Sequence, residues 1–160
     1  MSEIAESARA AIGSLYQFFP NKESVACALH TQCGEDIEEL WTPLLTTDDA
    51  LGLDQALERL IQVTVDYIDT HPVVVALQHA PHCTWNETIR KRLQQRIARF
   101  FMRCKPGLSR SEANIFSGVC MEIIQSCSQQ YLRTERPKRK RLIYEYKTLL
   151  CCYAGLRLSA

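Results

Sequence analysis

Glycine and proline are scarce in this sequence, 6 of each among 160 residues. A turn-rich β fold and a disordered chain both need more of them, so both are excluded. A surplus of one charge is lacking too: 19 basic against 18 acidic residues leave a formal net charge of +1. Whole-chain charge therefore lends nucleic-acid binding no support, although a small basic face balanced by an acidic body stays compatible with it. Missing as well is any run of about eighteen apolar residues, the length a membrane-spanning helix requires. The opening Met1–Glu6 is acidic and short of apolar residues, unlike a secretory signal. A cytoplasmic protein is expected.

What the chain does have is material for a core, with 46% hydrophobic and 23% charged residues. The length fits one domain, or one domain with a small appendage. Eight cysteines (Cys27, Cys33, Cys83, Cys104, Cys120, Cys127, Cys151 and Cys152) include no CxxC pair, so zinc-ribbon and thioredoxin readings fail. Most occupy apolar positions in helical patterns, which predicts reduced core thiols; a redox sensor is the alternative. His71, His79 and His82, with Cys83, stand beside Pro72 and Pro81, but their spacing matches no tight zinc motif. No metal and no cofactor is expected.

Helical periodicity runs through nearly the whole chain. Val25, Leu29, Cys33, Ile37, Leu40 and Leu44 fall in steps of three and four, predicting one long helix over residues 22–45 with Asn21 as its N-cap. Leu53, Leu57, Leu60, Ile61, Thr64 and Ile68 line the next face, which His71-Pro72 ends. A short apolar segment, Val73–Gln78, follows. Capping boxes at Thr84-Trp85-Asn86-Glu87 and Ser109-Arg110-Ser111-Glu112 open two more helices. The first carries Trp85, Ile89, Leu93, Ile97, Phe100 and Cys104; the second carries Phe116, Val119, Cys120, Ile123, Cys127 and Tyr131. Pro137 marks the last boundary, and Leu142, Tyr146, Leu149, Leu150, Tyr153 and Leu156 form the final stripe. The run Arg136–Arg141 looks like a nucleic-acid patch but reads better as a solvated helix start. No strand is predicted: the fold class is all-α, a small head joined to a helical bundle.

The informative stretch is Ser2–Val25. Ile4, Ala5 and Ala8 give one short helix an apolar face, a break follows near Arg9-Ala10-Ala11, and Ile12, Leu15, Phe18 and Phe19 give a second. Two short helices meeting at a tight turn suggest a helix-turn-helix. Leu15, Phe18 and Phe19 are expected in its core. Ser14, Tyr16 and Gln17 lie off that face and can hydrogen-bond phosphates or base edges.

The string Ile4-Ala5, Ala8, Ile12-Gly13-Ser14-Leu15-Tyr16, Phe18-Phe19 and Asn21-Lys22-Glu23 resembles the signature of the tetracycline-repressor (TetR) family. The resemblance implies a helix-turn-helix DNA-binding head over residues 1–21 and a helical ligand-binding and dimerisation domain over 22–160. It also implies roles. Tyr16 and Ser14 would bond DNA phosphates, as would Lys22 at a helix N-terminus. Gln17 would face the major groove, where it could pair with adenine, and Gly13 would let the backbone approach the duplex. Ala11 and Ile12 occupy base-reading positions, where they could touch only a thymine methyl. Two departures stand out: Arg9 replaces the turn glycine, which strains it if that site needs φ > 0, and Ala11 replaces a polar residue. The family also carries a helix ahead of this pair; the chain opens inside the pair, so a head lacking its first helix is expected.

The family's body holds an inducer, and its last two helices, here residues 111–133 and 138–157, build a homodimer. Dimerisation would set two heads one DNA turn apart, about 34–36 Å. Candidate ligand-pocket residues are Tyr67, His79, Trp85, Phe100, Phe116, Cys120 and Met121, aromatic, sulfur and imidazole groups suited to an apolar cavity. The reading is a ligand-responsive regulator, a repressor acting as a homodimer on double-stranded operator DNA and released by a small-molecule inducer. The alternative is a dimeric small-molecule-binding or redox-sensing protein that has lost DNA binding, with Cys120 and Cys127 one heptad apart on an interface helix. An enzyme ranks last, because no nucleophile–base pair, carboxylate pair or phosphate loop stands out.

Overall fold

A computed structural model describes residues 1–46, 52–77 and 87–158. Among these, eight helices form and no strand does: α1 (Ser2–Ser7), α2 (Ile12–Phe18), α3 (Lys22–Thr46), α4 (Leu53–Thr70), α5 (Val73–Leu77), α6 (Glu87–Cys104), α7 (Arg110–Arg133) and α8 (Arg136–Leu158). The all-α class expected from periodicity is what the chain adopts.

Helix starts follow local chemistry. Asn21 caps α3: its Oδ1 accepts from the Ser24 backbone N–H at 2.8 Å, and Glu23 sits in the positive first turn. The capping box at α7 is complete, with Ser109 Oγ accepting from Glu112 N–H at 3.2 Å and Glu112 Oε2 from Ser109 N–H at 3.1 Å. The other expected box, Thr84–Glu87, falls mostly outside the described residues. His71, before Pro72, is extended at φ −122° and ψ 83°, and α4 stops there.

The bundle is built around α4. It runs antiparallel to α3, where Trp41 Nε1 donates to Thr64 Oγ1 at 3.0 Å in the interior. It also runs antiparallel to α8, where Lys147 Nζ donates to Gln62 Oε1 at 2.8 Å. One core cluster joins Ile37, Trp41 and Leu45 of α3 to Leu57, Leu60 and Ile61 of α4 and continues through α6, α7 and α8.

The long linker helix is rotated from its expected register. Gly34, Ile37, Glu38, Trp41 and Leu45 are buried on α3, whereas the expected Leu29 and Leu40 are about two-fifths exposed, at 41% and 40%. Trp41 decides the rotation, because its large ring yields the most apolar area on burial. On α7 the expected stripe divides. Cys120, Cys127 and Tyr131 go inward, Phe116 and Ile123 are half-buried, and Val119 joins Ile115 on the outside. On α8 only Leu150 and Ala154 are buried, while Leu149 and Leu156 lie exposed.

Candidate nucleic-acid interface and ligand core

The head is the pair α1–α2. The turn between them is a Schellman closure: the Ala10 N–H donates to Ala5 O at 2.9 Å and the Arg9 N–H to Glu6 O at 3.0 Å. That geometry puts the residue after the helix in the left-handed region, and Arg9 has φ 51°. The strain expected of an arginine in the glycine's place is therefore present. Ala11 stands at the N-cap of α2 and supplies no side-chain cap, as its loss of a polar group implies.

Every sequence-predicted DNA-reading residue is exposed: Ala11, Ile12, Gly13, Ser14, Tyr16, Gln17 and Lys22. Ile12 and Tyr16 form one row along α2, and Gly13 and Gln17 the next. A Cβ added at Gly13 would meet nothing within 4 Å, so the chain's own packing makes no demand for glycine there. Lys22 begins α3, one residue after its cap.

The core expected under this face is thin. Leu15 and Phe19 are half-buried, and Phe18 is 77% exposed, which corrects its placement in the core. Ala5 is the head's one buried residue. Two helices of six and seven residues pack chiefly against each other among the described residues, and Phe18 lies on the side that neither covers.

Of the expected ligand-pocket residues, His79 and Trp85 lie outside the described residues. Tyr67, Phe100, Cys120 and Met121 enter one core cluster, with Phe116 packed against it. They face different neighbours. Tyr67 turns to α3, donating its hydroxyl to Asp36 Oδ2 at 2.6 Å while its ring stacks on His71 at 3.9 Å. Burial and the Asp36 carboxylate push the Tyr67 hydroxyl well above its ordinary pKa, and the bonds from Tyr67 and Gln32 hold Asp36 below its own. Phe116 turns to α8, edge-on to Tyr153 at 6.5 Å.

Sequence reasoning missed the polar groups that fasten α3 to α6. Glu38, 8% exposed, receives Arg92 at 2.7 Å on Oε2 and Arg96 Nη2 and Nε at 2.9 and 3.0 Å on Oε1. Arg103 donates to the Leu45 carbonyl further along the same pair. The signal was a glutamate inside the Gly34–Leu45 stripe, with two arginines four apart on α6 to match it.

The seven cysteines among the described residues are free thiols, but only Cys120 and Cys127 are buried; Cys33 and Cys151 are half-buried and Cys27, Cys104 and Cys152 are exposed, which corrects the expectation that most are core thiols. Cys120 and Cys127, the pair one heptad apart on α7, are both buried in the core cluster. Burial pushes the Cys120 thiol up to about 12 and the Cys127 thiol up to about 11.

The family described as "Tetracyclin repressor-like, C-terminal domain" matches residues 52–153, from the start of α4 almost to the end of α8. The chain belongs to the tetracycline-repressor-like family. No curated protein matches it. Members of this family are transcriptional regulators, and the matched segment spans α4 to α8 of the bundle. Among the described residues, no helix is long and apolar enough to cross a membrane.

Proposed function

We propose that this TetR-family chain is a ligand-responsive repressor that binds double-stranded operator DNA as a homodimer. Residues 1–21 are its reading head and residues 22–160 its ligand-binding and dimerisation body. The observation that carries this reading is the exposed surface of α2. Tyr16, Ser14 and Gln17 are exposed on a helix pair joined to a family-matched body by one 25-residue helix, and Lys22 is exposed at the start of that helix. Phosphate contacts from Tyr16, Ser14 and Lys22 would fix the register, and Gln17 would read a base edge. The outer side of α7 and α8, with Ile115, Leu149 and Leu156 exposed, supports a two-fold partner there. A small-molecule inducer held near Tyr67 and Phe100 would act on α3 through Asp36 and Glu38, swinging the heads apart.

Fluorescence anisotropy on duplex DNA at low salt tests the reading. Lys22→Ala should weaken binding on all sequences and flatten the dependence of log affinity on log salt by about one unit. A folded dimer that leaves duplex DNA unbound at low salt would overturn it, and would favour a ligand-binding protein without DNA activity.

A further inference from the structure

A groove of about 730 Å³ lies between α4 and the first half of α8, apart from the apolar core where an inducer is expected. Its lining mixes apolar and polar groups, and its charged groups are mostly cationic. Arg136, Arg139, Lys140 and Lys147 line it from α8, against two carboxylates, Glu58 and Asp69, from α4.

Two of the four cations are already engaged. Arg139 reaches Asp69 at 3.4 Å, donates to the Thr134 carbonyl at 3.0 Å and lies over the Tyr131 ring at 4.4 Å. Tyr131 in turn donates its hydroxyl to Asp69 at 2.5 Å, so one end of the groove is a fixed Asp69–Tyr131–Arg139 unit. Lys147 is held by Gln62 at 2.8 Å. Arg136 and Lys140 have no hydrogen-bond or ion-pair partner among the described residues, and both open into the groove. They stand four residues apart, on one side of α8.

We propose that this groove is a binding site for a small molecule bearing at least two negative charges, its anionic group held by Arg136 and Lys140 and its body lying along Ile143 and Tyr144. Arginine offers a planar fork of donors and lysine a mobile point charge, a combination suited to phosphate or carboxylate oxygens. The volume falls within the range of small-molecule sites, roughly 300–1,000 Å³.

The groove suits a small anion better than a DNA backbone for two reasons. Glu58 and Asp69 in its wall would repel a long polyanion laid across it. The Asp69 end also sits level with the Tyr67–Asp36 contact on α3, fourteen residues along the helix from Lys22 and therefore roughly 21 Å from the head. Nor is the groove the surface proposed for dimerisation. Leu149 lies nine residues beyond Lys140, and Leu156 nine beyond Lys147, two and a half turns in each case, which puts them on the opposite side of α8.

Isothermal titration of the full chain with pyrophosphate and, separately, with citrate tests the assignment and distinguishes phosphorylated from carboxylate ligands. At least one should bind, and Arg136→Gln/Lys140→Gln should weaken it by about tenfold or more, as expected for loss of charge-assisted hydrogen bonds. Both positions are exposed, so the double variant should keep the parent's melting temperature. Tyr144→Asp alters an exposed position of the groove wall without removing a cation, and should also weaken binding if the anion lies inside. Absence of binding by both probes overturns the proposal, as does binding that the double variant leaves unchanged. Loss of non-specific duplex affinity in the double variant, with neither probe bound, would assign these cations to DNA instead and overturn it equally.

Discussion

Gly34 of α3 lies so close to Ile89 of α6 that a Cβ at position 34 would come within 3.0 Å of Ile89 Cδ1 and 3.1 Å of its Cγ2. Both branches of a β-branched side chain cannot swing away together, because moving one turns the other inward. Ile89 is also 2% exposed and has no room to retreat. Gly34→Ala is therefore expected to destabilise the protein by about 1 kcal/mol. Overpacking, at about 1–3 kcal/mol, outweighs the gain of about 1 kcal/mol from helix propensity. Urea denaturation of the single variants and of Gly34→Ala/Ile89→Val checks this. The double variant should lose less than the sum of the two singles, since valine lacks the Cδ1 that collides.

Further along the same helix pair, Glu38 meets two arginines. Arg96→Ala would leave a nearly buried carboxylate with one partner, and a loss of about 2 kcal/mol is expected. That is below the 3–5 kcal/mol of a fully buried pair, because the Arg96 side chain is 30% exposed and partly screened. Glu38→Gln should cost less, since it removes the charge and leaves the arginines free to hydrate. Equal losses from the two variants would show that the contact works through shape alone.

Much of this was legible in the residues. The eight-helix order follows from apolar spacing, capping groups and prolines, and those are local causes. The side of each helix that faces inward is a tertiary matter. Leu40 and Trp41 are neighbours on α3, and apolar content alone favours neither; the position of α4, with Thr64 waiting for the indole N–H, settles it. Arg9 was readable as the strained turn residue because the closure of a short helix has few solutions. The exposure of Phe18 was not, since two short helices look adequate on paper and only their geometry reveals an uncovered side. The candidate DNA-reading residues were legible as a string, whereas the Glu38 clamp joins residues 54 and 58 positions apart and the α4–α8 groove residues 67 to 90 apart, beyond the reach of any periodicity.

Arg9 leads to a prediction for the head. A left-handed conformation costs a non-glycine residue about 1–2 kcal/mol, part of which glycine gives back in chain entropy. Arg9→Gly is expected to stabilise the α1–α2 pair by roughly 0.5–1 kcal/mol. Amide hydrogen exchange should show slower exchange at Ala8 and Ala10 and no change in α4. Faster exchange there would mean that the arginine side chain contributes more than its backbone costs.

The hydrogen bond from Tyr67 to Asp36 should give stability a pH dependence with a defined sign. Asp36 titrates below its ordinary value of 3.8 in the folded protein. Its contribution is therefore complete above that value and is lost as pH falls through the depressed one. Tyr67→Phe removes the donor at an expected cost of about 1–2 kcal/mol near neutrality. The gap between parent and variant should then close in acid. Chemical denaturation between pH 7 and pH 2.5 measures it, and a constant gap across that range would detach Asp36 from the effect.

Ile115, Leu149 and Leu156 are 62%, 52% and 76% exposed, yet their neighbours on the same two helices build the core. Exposed leucines gain about 1.5–3 kcal/mol each on full burial, and a two-fold pairing counts each of them twice. Leu149→Glu/Leu156→Glu is therefore expected to convert a dimer to a monomer in sedimentation equilibrium without lowering the melting temperature at concentrations where the parent is also monomeric. Cys152 provides an independent reading, because it is exposed three residues after Leu149 and four before Leu156, on the same outer side of α8. Its alkylation should slow as protein concentration rises, while the buried Cys120 and Cys127 resist at every concentration. A parent chain that sediments as a monomer throughout, with Cys152 labelled equally fast at all concentrations, would leave this apolar surface without a second copy to cover it, and the homodimer would have to be abandoned.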